Sequence, residues 1–387
     1  MNALYLTIKP IYPTVDGGCV AMAAFLNHLI AIHNRVDHLT IETYKHPFNI
    51  LNYPTFEDKP FSVDSVYINT KISPLDAFTN LFSSSSYNVN RFYDKAFENK
   101  ILEQLEKGYD VIYLESVFLS PYIKTIRKHT SAKMILRAPN VEYKIWENHT
   151  SITSNPFKKW YLNSLTKKLK NTEIQSLELV DGILTISQHD AEMLALIGTK
   201  TPILNLPFSI ESESISTIKK HHFFFVGAFN WQPNLDAVHY LIKTLFPKII
   251  TEFPDAKLHI AGSYTPDSLY QFQSDSIRIY GKVPSVKEFM KNHGMLLAPI
   301  FSGSGVRIKI LEALSFGIPV IGSSIAIQGI NSKACFIASE DEDYVNLISE
   351  LEEKTILDTQ KLAIEYINEY YHPTKIEKQL DEFIRNC

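Results

Sequence analysis

The stretch FSGSGVRIKILEALSFGIPVIGSS, residues 301–324, sets small residues, two cations and a glutamate in close succession. Gly303 and Gly305 flank Ser304 and let a ligand approach the backbone closely. MLLAPI (295–300) before them reads as a strand. Val306, Ile310, Ala313 and Leu314 after them share one face of a helix that Gly317 ends, with Pro319 two residues beyond. The turn therefore falls at the carboxyl end of a strand and at a helix start, where open α/β sheets bind ligands. Free N–H groups and the positive end of the helix dipole favour an anion there. Arg307 and Lys309 oppose that dipole, so helix stability does not explain them, whereas a bound anion does. Glu312 lies three residues after Lys309 and shares its face. A carboxylate one turn beyond an anion site can accept two hydrogen bonds from vicinal hydroxyls, and a ribose carrying a diphosphate presents that pattern. The spacing also fits an ordinary surface i, i+3 pair of Lys309 and Glu312, worth ~0.2–0.5 kcal/mol. The third glycine of a dinucleotide fingerprint and the Lys-Ser/Thr of a triphosphate loop are both missing.

The elements that must position this turn are short apolar runs separated by longer helical patterns. ALYLTI (3–8), VDSVYIN (63–69), DVIYLE (110–115), AKMILR (132–137) and DGILTIS (181–187) read as strands in the first half. FFFVGA (223–228), AKLHIAG (256–262), IRIYG (277–281), MLLAPI, IPVIGS (318–323) and CFIA (335–338) do so in the second. Most are continuous in Val, Ile and Leu, the mark of strands buried on both faces of a parallel sheet. The polar run PFSIESESISTIKKH (207–221) is the domain boundary. The fold class is thus α/β, most simply two domains of similar size with a cleft between them, at 1–206 and 207–365. A closing helix at 366–387 packs back on the first domain, with Ile376, Leu380 and Phe383 on its apolar face.

The bulk composition narrows the partners. A net charge of −4 over 387 residues excludes binding nucleic acid by composition alone, so attraction to a polyanion needs a local patch. Cys19, Cys335 and Cys387 lie far apart with no metal-ligand spacing, which fits a reducing, cytoplasmic compartment. No leader pattern is evident at the N-terminus, and no window holds ~18 consecutive apolar residues. The segment NPFKKWYLNSLTKKLKN (155–171) has five lysines and no acid. With Trp160, Tyr161 and a stripe of Leu162, Leu165 and Leu169, it suits peripheral contact with an anionic membrane face. It equally suits a helix that packs its leucines inward and solvates its lysines.

GSGVRIKILEALSFGIPVIGSSIAIQGI resembles the donor-site segment of glycosyltransferase family 4, the group 1 glycosyltransferases. FFFVGAFNWQPNLDAVHYL (223–241) is similar to the segment that opens the second domain in that family. VDGG (15–18) resembles its N-terminal glycine loop, and ILRAPNVEYKIWEN (135–148) its Arg-x-His-Asn-x-Glu segment. The resemblance implies the GT-B fold, two Rossmann-like α/β domains facing across a cleft, and transfer of a sugar, of hexosyltransferase type, from a nucleotide-sugar with retention of configuration. It implies no metal and no other cofactor. Carried over by position, Arg307 and Lys309 would contact the donor diphosphate and Glu312 the ribose. Gly17, Gly18, Gly227, Gly303, Ser304 and Gly305 complete the donor-binding set. The acceptor, by the same resemblance, is a growing glycan or lipid-linked saccharide of polysaccharide biosynthesis, with Glu115, Asn140 and Glu142 as acceptor-side candidates. Two positions depart from the pattern. Ser304 stands where a second glutamate is common, and Pro139 where a histidine is expected. These keep two other readings open: a sugar-nucleotide epimerase of similar fold, and a non-catalytic partner subunit. Asn230, Trp231 and Asn234 follow the second domain's first strand, with Trp231 read as a packing residue.

Overall fold

The computed structural model describes residues 1–56, 59–71, 73, 79–83, 85–151, 153–213, 217–302, 307–351 and 353–387. They divide into two compact units: Met1–Phe208 with Ile376–Cys387, and Ser209–Lys375.

The first unit is built on a parallel sheet of β1 (Asn2–Thr7), β2 (Arg35–Glu42), β3 (Phe61–Tyr67), β4 (Val111–Glu115), β5 (Lys133–Ala138), β6 (Gly182–Thr185) and β7 (Ile203–Asn205). Their order is β3-β2-β1-β4-β5-β6-β7. Alternate residues of each strand feed two cores. Leu4, Leu6, Ile112 and Leu114 enter one cluster, while Ala3, Tyr5, Val111 and Tyr113 enter another. Burial on both faces is why these strands read as unbroken apolar runs.

Strand β2, RVDHLTIE, is an addition to the sequence reading. Its polar residues hide it from pattern analysis, and long-range partners make them tolerable in the interior. His38 Nε2 lies 2.9 Å from Thr7 Oγ1, whose hydroxyl donates to Thr40 Oγ1 at 2.8 Å. Asp37 accepts from Arg35, Ser62 and Tyr109. Strand β7 is three residues long, too short for any periodicity.

The closing helix spans Pro373–Asn386, and the chain returns to the first unit at Ile376. Residue 366, taken from sequence as its start, falls inside a separate helix, Glu353–Tyr370, that belongs to the second unit. Ile376, Leu380 and Ile384 are fully buried in the first unit. Each such side chain stabilises the docked helix by roughly 1.5–3 kcal/mol relative to exposure. Lys133 Nζ donates to the carbonyl of Ile384 at 2.7 Å, satisfying the helix end. Gly182 is required beneath it, because a Cβ there would sit 2.8 Å from the Phe383 ring.

The second unit has a six-stranded parallel sheet of β8 (His222–Val226), β9 (Lys257–Ala261), β10 (Ile277–Gly281), β11 (Met295–Ala298), β12 (Val320–Gly322) and β13 (Cys335–Ile337). The order β10-β9-β8-β11-β12-β13 is the doubly wound one, with its switch point between β8 and β11. The turns after those two strands are therefore adjacent in space.

Candidate functional site

Strand β11 ends at Ala298, and the helix Ile308–Ser315 begins with Arg307 as its N-cap. Gly303, Ser304 and Gly305 lie outside the described residues. Among the described residues no side chain caps this helix start, so its first N–H groups have no side-chain partner there. Ile310, Leu311, Ala313 and Leu314 are buried and set the helix's rotation on the sheet.

That rotation turns Lys309 toward the end of β8. Its Nζ donates to Asn234 Oδ1 at 2.8 Å and lies 4.2 Å from the centre of the Phe225 ring. Among the described residues Lys309 forms no ion pair. Burial, followed by the nearby positive charge of Arg307, pushes its pKa down to about 7, and Glu312 opposes the shift. Arg307 donates from Nη2 to the Ser302 carbonyl at 3.3 Å, and burial lowers its pKa as well. Glu312 is half-buried; burial raises its pKa while Lys287 and Lys309 hold it back. Lys309 is thus no ordinary surface partner of Glu312. It is a cation kept in an apolar, amide-lined seat beside a second cation.

Gly227 acts on this seat from below. A Cβ at Gly227 would lie 2.8 Å from Asn234 Nδ2, so only glycine leaves room for the Asn234 side chain. Asn234 Nδ2 in turn donates to the Ala228 carbonyl at 3.0 Å, which aims its oxygen at Lys309. Asn234 was legible in the sequence as a residue following β8, whereas Phe225 was read only as part of the strand FFFVGA. The contact of Asn234 with Lys309 was not legible, because it joins residues 75 positions apart. Trp231 is 57% exposed at the N-cap of the helix Gln232–Tyr240, which overturns the packing role read for it.

In the first unit the sequence candidates separate. Gly17 and Gly18 are exposed and open the helix Gly17–Ile32, where Asp16 accepts from the Cys19 N–H at 2.8 Å. Lys9 pairs with Asp16 at 2.6 Å. Glu115 is buried, and both carboxylate oxygens are engaged, one by Arg137 and one by the Tyr5 hydroxyl at 2.5 Å. It is an internal ion pair and has no free oxygen to offer an acceptor. Asn140 and Glu142 do come together at the end of β5: an Asn140 hydrogen bond favours the Glu142 carboxylate, but burial dominates and raises its pKa to about 7. Glu173, which sequence reasoning missed, accepts from the Glu142 and Tyr143 N–H groups at 3.0 Å each and so caps the helix Glu142–Ser151. Its pKa is likewise raised to about 7, by burial first. No local signal marks it, since its partners are some thirty residues away.

Residues 220–353, nearly all of the second unit, match the family Glycosyl transferases group 1. The chain carries a group 1 glycosyltransferase domain. The chain is also 24% identical over 241 residues to an uncharacterized 44.6 kDa protein in the cps region of Klebsiella pneumoniae, a match that covers 58% of the chain and 60% of that protein. Among solved structures it resembles a sucrose-phosphate synthase from Thermosynechococcus elongatus, at TM-score 0.68 and 13% identity over 100% of this chain and 99% of that one. Anabaena HepE in complex with UDP is similar at TM-score 0.62 and 13% identity, covering 100% of both chains. The pneumococcal O-GlcNAc transferase GtfA in complex with UDP and GlcNAc is similar at TM-score 0.63 and 12% identity, covering 99% and 98%. At these identities the likeness concerns the fold, which is GT-B along the whole chain.

Proposed function

We propose that this glycosyltransferase moves a hexose from a nucleotide-sugar to a glycan or lipid-linked saccharide, retaining configuration and using no metal. The observation that carries the reading is Lys309, a cation seated against Phe225 and Asn234, with no ion pair and no helix cap beside it among the described residues, next to Arg307. A diphosphate supplies the charge this arrangement lacks. Fold neighbours solved with UDP and with UDP-glucose support the donor class. Location of a relative's gene in a cps region supports polysaccharide biosynthesis.

As the sugar–phosphate bond breaks, negative charge grows on the outer phosphate. Arg307, Lys309 and the helix N–H groups would balance it from a rigid element, with no reorganisation at the moment of reaction. Glu312 would accept from the ribose hydroxyls. Gly303, Ser304 and Gly305 would bring backbone to the phosphates.

Addition of the matching nucleoside diphosphate at about 100-fold over Kd should raise the melting temperature by about 5 °C or more. Sugar transfer should persist in excess EDTA. A screen of UDP, GDP and ADP with no shift would sink the donor reading. Activity abolished by EDTA and restored by magnesium would sink the metal-free part.

No described helix is long and apolar enough to cross a membrane. The basic helix spans Pro156–Leu177 and buries Leu162, Leu165 and Leu169, so the leucine stripe is internal. Its first turn instead projects Phe157, 84% exposed, and Trp160, 65% exposed, beside exposed Lys158 and Lys159. This tip is the part of the helix suited to peripheral contact at a cytoplasmic membrane face. Cosedimentation with anionic vesicles should fall with salt and with Phe157→Ser/Trp160→Ser; unchanged cosedimentation would leave the helix purely structural.

A further inference from the structure

Three neighbouring strands of the first unit end around an empty cavity of about 180 Å³. Lys9 follows β1, the loop Thr43–His46 follows β2, and Thr70 follows β3. Arg91 closes it from the helical side. Carboxyl ends of parallel strands are where open sheets take ligands, so the location is a binding position by topology.

The lining is cationic. Lys9, Lys45, His46 and Arg91 surround the cavity, and its described lining includes no carboxylate. Lys9 is already matched by Asp16. Arg91 is not matched: it is half-buried, its guanidinium rests 5.2 Å from the Phe92 ring centre, and its Nε is buried with no hydrogen-bond partner among the described residues. An unpaired half-buried guanidinium is costly unless something anionic completes it. The His46 loop is held ready. Thr43 and His46 exchange both backbone hydrogen bonds, at 3.1 and 3.0 Å, and the His46 N–H also reaches Thr43 Oγ1.

Arg91 also lines a second cavity of about 450 Å³. That one is walled by Asn69, Asn90, Tyr87 and Tyr93, groups that hydrogen-bond hydroxyls and stack on sugar rings. Asn80, also in its wall, has a buried Oδ1 with no partner among the described residues. Asp94, its only carboxylate among the described lining, is spent on capping the helix Lys95–Leu105 through the Ala96 N–H.

We infer that the first unit binds an acidic acceptor saccharide, its carboxylate or phosphate on Arg91, Lys45 and His46 and its neutral ring in the larger cavity. This rests on the transferase reading for the word acceptor; the binding itself does not. Arg91 is placed between the two cavities, so one guanidinium fixes where the charge lies relative to the ring. A neutral sugar can accept a hydrogen bond from Arg91 but brings no countercharge to the guanidinium, so it should bind more weakly.

The test is equilibrium binding to the full chain, by ligand-observed NMR, with three probes: glucuronate, glucose 1-phosphate and glucose. Both or either acidic probe should bind, glucose about 10-fold or more weaker, since a hydrogen bond to a charged group is lost. Preference for glucuronate assigns the anion as a carboxylate, and preference for glucose 1-phosphate assigns it as a phosphate. Arg91→Gln should lower acidic-probe affinity about 10-fold while UDP affinity stays unchanged. Lys45→Gln, an exposed loop substitution that the fold tolerates, should weaken the same probes and guards against misfolding of the Arg91 variant. Equal binding of glucose and the acidic probes overturns the inference, and so does loss of UDP binding in Lys45→Gln. Failure of the wild type to bind any nucleoside diphosphate, with acidic probes still bound, would instead remove the transferase reading and leave this site standing.

Discussion

Two buried charges in this molecule have opposite fates. In the first unit Arg137 meets Glu115, and Tyr5 fills the second carboxylate oxygen. The Arg137 guanidinium also lies 4.8 Å from the Phe25 ring centre. In the second unit Lys309 meets an amide oxygen, a ring face and another cation. The first arrangement is complete and closed to ligands. The second has no counterion among the described residues, and an anion is what the proposed donor diphosphate would supply. A buried charge by itself therefore points to no site; a buried charge with no counterion is the better candidate.

The comparison breaks first at Arg137. Arg137→Ala should lower unfolding stability by about 3–5 kcal/mol, because it strands the Glu115 carboxylate in the interior. Chemical denaturation would read that, and affinity for nucleoside diphosphate on the remaining folded protein should be unchanged. A stable Arg137→Ala protein would show that the Glu115 pair is not the closed unit described.

Lys309→Ala should do the reverse. The catalytic rate should drop ~10²–10³-fold, the loss typical of one donor to a developing oxyanion, with melting temperature unchanged or raised. Donor affinity should fall less than the rate, since the charge grows toward the transition state. Steady-state kcat and KM separate these two effects. The same lysine sharpens the comparison through pH. Its pKa near 7 leaves it mostly neutral at pH 8, and a bound diphosphate draws a proton onto it. Diphosphate affinity should therefore weaken as pH rises above 7, and proton uptake on binding should vanish below pH 6, where Lys309 is already charged. Calorimetry in buffers of different ionisation enthalpy reads the uptake directly. Uptake that persists in Lys309→Ala would assign it to another group.

Glu312→Ala is the smallest of the three. Loss of a charged acceptor for two ribose hydroxyls should weaken nucleotide binding by ~1.5–3 kcal/mol. A 2′,3′-dideoxy nucleotide should bind wild type and variant alike. An equal loss with both nucleotides would detach Glu312 from the ribose.

The alternation of apolar runs and the turn after MLLAPI were sufficient to read two parallel α/β sheets and to single out Arg307, Lys309 and Glu312. Both are local properties: a strand buried on two faces must be apolar throughout, and cations at a helix start are locally unfavourable without an anion. Tertiary structure decided what distant partners control. Strand β2 exists because Thr7, Ser62 and Tyr109 satisfy its buried polar groups. Glu115 became an internal pair because β5 places Arg137 beside it, in register, one strand away. Trp231 and Phe157 were left in solvent by the packing of helices whose periodicity alone did not say which residues stay outside. Lys309 itself shows the division. Its identity and place at a helix start were written in the chain, but the depressed pKa arose only when the fold set Phe225, Asn234 and Arg307 around it and withheld a carboxylate. Sequence spacing reports which groups share an element, and solvation and charge pairing depend on what folds against them.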